Sequence, residues 1–316
     1  MRSAAALGLV IALAGTVALG QRGGSTSVFR SPVDMVPVFV TVTDANNRLV
    51  ADLDRGEFRL LDNGVAQAIS VFDNGPRPLR LVLLLDVSAS MAPNLPLLRE
   101  GSEAVFKRLQ PGDAVRLGTF GRTVDIAPAF SGDVDALRTA LPAAIDRRAL
   151  TPLWKAVDQA MIALEDADSR PVIIVFSDGR DSGPNPGDRA IGLADVISRA
   201  RHDGIMVYAV GLHSRGGSAS SPNGLASFMT RNDRPDPGLS ALAAQTGGRY
   251  FEVDIDPDRD LGTAFASAME ELHSQYLLGF APPHDGQVHT IDVGVIRPDL
   301  TIRARRSYEA PKPQAP

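Results

Sequence analysis

The chain changes its hydrophobic grammar twice. Val36, Val38, Val40 and Val42 recur at period two, which predicts a half-buried strand. Phe58-Arg59-Leu60-Leu61 and Ile69-Ser70-Val71-Phe72 flank Asp62-Asn63-Gly64, and Asn-Gly between apolar runs is a strong hairpin signal. Residues 34–73 therefore read as a small antiparallel β unit. From Leu81 the pattern becomes continuous. Leu81 to Leu85, Val172 to Phe176 and Met206 to Val210 are unbroken apolar runs, as expected of strands buried on both faces of a parallel sheet. Helical spacing fills the intervals at 95–109, 132–145, 152–164, 190–200, 239–246 and 258–273, with Ser131 as the expected cap of the second of these. Residues 114–120 and 123–130 read as a strand pair across Gly121-Arg122, and 249–253 as a further strand. This alternation predicts an α/β fold: a doubly wound, mostly parallel sheet flanked by helices, Rossmann-like in plan.

Period two returns after residue 275, in Tyr276, Leu278 and Phe280, in Ile291, Val293 and Val295, and in Ile302 and Ala304. Each β-rich flank is too small to hold a core alone. The two are expected to pair with each other, 274–309 against 34–78, as an antiparallel β module into which the α/β unit 79–273 is inserted. Residues 213–238 form a polar, Gly/Ser/Pro-rich stretch that leaves the carboxyl edge of the sheet, the edge at which open α/β sheets bind ligands. Residues 310–316 read as a disordered tail.

Composition narrows the function classes. The 316 residues are 44% hydrophobic and 22% charged, with net charge -5 and no cysteine. Disulfide scaffolds, cysteine zinc sites and thiol chemistry are excluded, and the acidic balance argues against nucleic acid as a partner. Arg2 precedes sixteen uncharged residues, Ala4 to Leu19, and Ala18 and Gly20 suit a cut before Gln21. Residues 1–20 thus read as a signal peptide and 21–33 as a linker, with an uncleaved anchor as the rival reading. After cleavage no membrane span is expected. Export without cysteine or an Asn-x-Ser/Thr sequon suits a bacterial periplasm or cell surface.

The chemistry gathers at strand ends. The first buried strand runs into Asp86-Val87-Ser88-Ala89-Ser90, the second into Ser177-Asp178-Gly179, and Leu150-Thr151-Pro152 precedes a helix between them. The three segments can meet at one carboxyl edge. Asp86, Ser88, Ser90, Thr151 and Asp178 would present two carboxylates and three hydroxyls without histidine, an all-oxygen set that suits Mg²⁺, Mn²⁺ or Ca²⁺ rather than zinc. Two aspartates neutralise a divalent ion, and a position remains open for an outside carboxylate.

The set Asp86-x-Ser88-x-Ser90, Thr151 and Asp178-Gly179 resembles the metal-ion-dependent adhesion site of von Willebrand factor type A domains, over about residues 79–273. The flanks, with Asp62-Asn63-Gly64 and Tyr276-Leu277-Leu278-Gly279-Phe280, are similar to those of secreted bacterial proteins that carry a von Willebrand-related domain. The resemblance implies that Ser88, Ser90 and Thr151 coordinate directly or through water, that Asp86 and Asp178 supply charge, and that a glutamate or aspartate of a protein partner completes the sphere. It also implies that metal coordination couples to a shift of helix 258–273. The expected function is that of an exported, non-catalytic, metal-dependent adhesion or scaffold protein.

Other readings compete. The Asp86 segment alone would serve as a helix cap. The metal would be purely structural in an envelope scaffold. A Mg²⁺-dependent hydrolase with an aspartyl nucleophile would place a second acid where Ser88 stands. Asp181 reads as a turn residue or a rim group, and Trp154 as core beside the site. His202, His213, His273, His284 and His289 show no ligand spacing and are expected at surfaces or turns. Arg303-Ala304-Arg305-Arg306 is expected on a solvated sheet face.

Overall fold

A computed structural model describes residues 35–313 apart from 147, 168, 184–188, 214–234 and 255–260. The signal-peptide and linker readings, most of the 213–238 stretch and the last three residues of the tail lie outside the described residues.

The central sheet has six strands: β5 (Leu79–Asp86), β6 (Ala114–Phe120), β7 (Val124–Ile126), β8 (Arg170–Ser177), β9 (Met206–His213) and β10 (Tyr250–Asp254), in the order β10-β9-β8-β5-β6-β7. All neighbours are parallel except β6 and β7. The continuous apolar runs form these strands because successive side chains point to opposite faces and both faces are covered. Leu81, Leu83, Leu85, Val172, Ile174 and Phe176 pack on one face with α1 (Leu95–Phe106) and the long helix α6 (Leu261–His273). Val82, Leu84, Ile173 and Val175 pack on the other with α3 (Leu153–Ile162), α4 (Leu193–Asp203) and α5 (Pro237–Thr246). The expected α/β architecture, with antiparallel sheets made by the flanks, is the one observed.

The flanks supply β1 (Val36–Thr43), β2 (Phe58–Asp62), β3 (Val65–Gln67), β4 (Val71–Asp73), β11 (Tyr276–Phe280), β12 (Val288–Val295), β13 (Thr301–Arg303) and β14 (Ser307–Glu309). They form two antiparallel sheets, β13-β1-β11-β4 and β14-β12-β2-β3. One hydrophobic cluster joins the two sheets. It includes Val38, Val40, Leu60, Tyr276, Phe280 and Tyr308.

Three local expectations need correction. The hairpin across Asn63-Gly64 closes between β2 and β3, with Asp62 opposite Val65. Its two turn residues have φ of 48° and 80°, the left-handed pair a two-residue turn requires. The 69–72 run is not its partner, because β4 crosses to the other sheet and pairs with β11. The helix expected over 132–145 is only α2 (Val134–Thr139). Its cap is Asp133, whose carboxylate accepts from the amides of Asp135 and Ala136, and not Ser131. Pro142 prevents further helix, since its ring fixes φ and it has no N–H to donate. The strand expected over 123–130 shortens to β7.

Candidate functional site

Strands β5 and β8 are neighbours with Leu85 opposite Phe176, so Asp86 and Ser177 emerge side by side at their carboxyl ends. The chain moves from β5 to β6 on one side and returns at β8 on the other. The strand order therefore reverses at β5, the crevice where such sheets place ligands.

The Asp86 side chain is fully buried. One oxygen accepts from the Ser88 amide at 2.8 Å and the other from the Ser177 hydroxyl at 2.5 Å. The loop is held from outside, by Val87 N–H on the Phe120 carbonyl and Ala89 N–H on the Ala149 carbonyl. The hydroxyls of Ser88 and Ser90 lie 3.1 Å apart, and Ser90 donates to Asp178 at 2.8 Å. Thr151 reaches the same place through Gly179. A Cβ on Gly179 would come within 3.2 Å of Thr151 Oγ1, so a side chain there would press on the threonine. Asp86, Ser88, Ser90 and Asp178 thus form one hydrogen-bonded chain, with Thr151 packed against the residue after Asp178. All five expected positions come together at one edge.

Ser88 precedes a short 3-10 turn, Ala89–Asn94, but its hydroxyl makes no capping hydrogen bond. Capping alone therefore leaves the hydroxyls unexplained. Burial, reinforced by the charge of Asp178, pushes the Asp86 carboxyl up to about 7 against the opposing hydrogen bonds from Ser177 and Ser88. The hydrogen-bond partners of Asp86 are two serines and no cation. An anion in this position has lost its water and faces a like charge. Among the described residues no group of three or more His, Asp or Glu side chains could hold a metal, so a cation here would rest on two carboxylates and hydroxyls. The donor set fits a hard divalent ion.

Several supporting groups were not anticipated. Ser177 is one; its only sequence signal is a small polar residue directly before Asp178. Asp236 is another: its amide donates to the Gly179 carbonyl at 3.2 Å and its carboxylate accepts from the amides of Asp181 and Gly238. Its sequence signal is an Asp before Pro237, a helix start, without any hint of contact with residue 179. Asp181 accepts from the amides of Trp154 and Gly183, and so fixes the entry of α3. Burial raises its carboxyl above the ordinary range. Trp154 lies in the core, against Gly238.

Two other expectations fail. His273 and His289 are not surface residues. His273 pairs with Asp113 at 2.8 Å, and His289 sits between Asp62 at 2.8 Å and Asp285 at 3.0 Å, its side chain largely buried. The basic run is not simply solvated either. Arg303 pairs with Glu271 of α6. The Arg306 amide donates to the Gln245 carbonyl, and a Cβ on Gly247 would fall 2.5 Å from the Arg305 nitrogen. The run is a seam between the β flanks and the α/β unit.

The family model of the von Willebrand factor type A domain matches residues 81–255. Among solved structures the chain is similar to the conserved hypothetical protein BatB of Bacteroides thetaiotaomicron, at 18% identity and TM-score 0.45, over 61% of this chain and 97% of that one. It is similar to the vWF domain of the type V pili tip protein Mfa5 of Porphyromonas gingivalis, at 11% identity and TM-score 0.43, over 63% and 94%. It is also similar to proximal thread matrix protein 1 of the mussel byssus with a zinc-occupied MIDAS motif, at 14% identity and TM-score 0.46, over 66% of this chain and 48% of that one. No curated protein matches.

Proposed function

Because the chain belongs to the von Willebrand factor type A domain family, we propose that it is an exported, non-catalytic binding protein of the bacterial envelope that holds a partner's Asp or Glu carboxylate on a divalent cation. Domains of this family typically serve adhesion or scaffold roles. No helix among the described residues is long and apolar enough to cross a membrane. Mg²⁺, Mn²⁺ or Ca²⁺ would be held by Asp86, Ser88, Ser90, Thr151 and Asp178. When bound, it would supply the positive charge that a partner carboxylate seeks.

One observation carries the reading: a completely buried carboxylate faces another carboxylate and hydroxyls, with no cation among its partners. Such a charge is costly unless something outside the chain compensates it. The residues do the rest. The loop's backbone anchors hold Ser88 and Ser90 in place, and exposed Ser90 marks the side from which a partner approaches.

The test is thermal melting of the protein titrated with Mg²⁺, Mn²⁺ and Ca²⁺, for the unaltered chain and for Asp86→Ala. A ligand that binds only the folded state raises stability as its concentration passes its Kd. The expected result is a saturable rise in the unaltered protein that is absent in the variant. No rise in either protein overturns the reading. A rise without metal-dependent binding of any carboxylate-bearing peptide favours a scaffold whose metal is purely structural.

A further inference from the structure

The seam between the β flanks and the α/β unit holds a cation without a counter-ion. Arg305 lies between β13 and β14, where the chain passes the ends of α4 and α5. The backbone is tied down there, since the Arg306 amide donates to the Gln245 carbonyl at 3.2 Å. The Arg305 side chain is less well served. Its Nε is buried and has no hydrogen-bond partner. Among the described residues its guanidinium makes neither an ion pair nor a hydrogen bond. Its contact is the Tyr308 ring, 5.9 Å away at the centroid. Burial pushes the guanidinium down to about 10, and the group that opposes this is the Tyr308 phenol, not a carboxylate. A buried charge left in this state is costly.

A small void adjoins it. Ile197 and Arg201 of α4, Ile205, Gln245 of α5, Arg305 and Ser307 line this void, which encloses about 10 Å³, room for one small occupant. The charged side chains on its wall are both arginines. Ser307 Oγ accepts from Arg201 Nε at 2.9 Å. Its own proton therefore points elsewhere, and it meets no acceptor among the described residues. The C-terminal ends of α4 and α5 lie beside the void, at Asp203 and Thr246. Each end carries about half a negative charge, so the two together offset one arginine and leave the other. The nearby acids stand outside the void. Asp203 and Glu309 border a wider hollow that Arg305 also touches. They keep their charge, but they face His202, at 4.0 and 3.1 Å, and neither pairs with Arg305.

We propose that this void is a halide site, in which one chloride accepts from Arg305 Nε and the Ser307 hydroxyl and joins the β flank to the ends of α4 and α5. A water would accept from the same donors, yet it would neutralise neither arginine. Phosphate, sulfate and organic carboxylates are too large for the space. The site stands apart from the metal edge and does not depend on it.

The experiment melts the whole protein in metal-free sodium gluconate, whose anion is too large for the void. Gluconate is then exchanged for chloride or bromide at constant ionic strength, so that general screening stays fixed. Arg305→Met keeps a long side chain without the charge, and its melting curve carries the general effect of the salts. Relative to that variant, both halides are expected to raise the melting temperature of the unaltered protein saturably, as for any ligand that binds only the folded state. Ser307→Ala keeps both arginines and should weaken the apparent halide affinity about tenfold, the effect of one hydrogen bond to a charged group. Crystals grown in bromide should show an anomalous peak between Arg305 and Ser307. A melting temperature that follows Arg305→Met in every salt overturns the proposal and leaves a water in the void. A halide response that survives unaltered in both variants, or a bromide map without that peak, overturns it too and places the ion elsewhere.

Discussion

Asp86 and Glu271 are both carboxylates sunk into the same α/β unit, and their surroundings differ in kind. Glu271, with 4% of its side chain exposed, is met by Arg249 at 2.6 Å, by Arg303 and by the Tyr208 hydroxyl at 3.2 Å. Asp86, fully buried, is met by Ser177, the Ser88 amide and the like charge of Asp178. The fold supplies guanidinium groups where it needs a closed ion pair, and supplies only hydroxyls at the carboxyl edge. On the proposed reading, that difference makes Asp86 the charge left for an outside cation. It also bears on the coupling expected for the long helix. Glu271 lies in the last turn of α6 and is tied to β10 through Arg249 and to the flanks through Arg303, so any shift of α6 must first break those pairs.

The largest expected effect comes from opening the closed pair. Glu271→Ala leaves Arg249 and Arg303 without their shared anion and removes the acceptor of a buried tyrosine hydroxyl. A loss of about 3 kcal/mol is expected from urea unfolding. A loss under about 1 kcal/mol would mean that solvent already compensates those arginines, and the contrast with Asp86 would collapse.

Asp86→Asn should act in the opposite direction. Without metal it removes an uncompensated buried charge and is expected to stabilise by about 2 kcal/mol at pH 8, while abolishing the rise caused by Mg²⁺. The same effect can be read along pH. The folded Asp86 carboxyl titrates near 7 instead of 3.8. Its contribution to stability is complete below 3.8 and is lost as pH rises through about 7. Metal-free melting temperature should therefore fall between about pH 4 and pH 8, and saturating Mg²⁺ or Asp86→Asn should flatten that slope. Asp113 provides the counter-example. Burial pushes its carboxyl up, but His273 and the amides of Gln110 and Leu79 outweigh that and hold it below 3.8. Its stabilisation is lost only as pH falls below that value. A curve without the neutral slope would show that Asp86 is compensated after all.

The comparison also explains what could be read from the sequence. Asp86, Ser88, Ser90 and Asp178 were legible because each follows a continuous apolar strand, and parallel strands bring their ends to one edge. Thr151 was legible from its place before a helix between those strands. The partners of Glu271 were not. Arg303 is 32 residues away and Arg249 is 22, and no local pattern tells an arginine in a seam from one in water. His273 and His289 failed for the same reason, since their partners Asp113 and Asp62 lie 160 and 227 residues away. In the flanks, period two gave the strands, but the two-sheet arrangement that sends β4 away from its hairpin depends on pairing with β11, beyond any local signal.

The smallest expected effect is also the finest test of the contrast. Ser177→Ala removes one hydroxyl from Asp86 and changes no charge. If the hydroxyl merely fills space, metal response should be unaffected. Here, with the side chain and amide of Ser88, it favours the charged form of Asp86 against burial. Removing it should move the neutral-pH slope of the metal-free protein to higher pH and weaken apparent Mg²⁺ affinity several-fold at pH 7, since the ion binds the charged form. The change in metal-free stability should stay within about 1 kcal/mol, the ordinary worth of one hydrogen bond. An unchanged slope with unchanged Mg²⁺ affinity would place the control of Asp86 with burial and Asp178. The distinction between the two buried carboxylates would then rest on burial and like charge and not on hydroxyls.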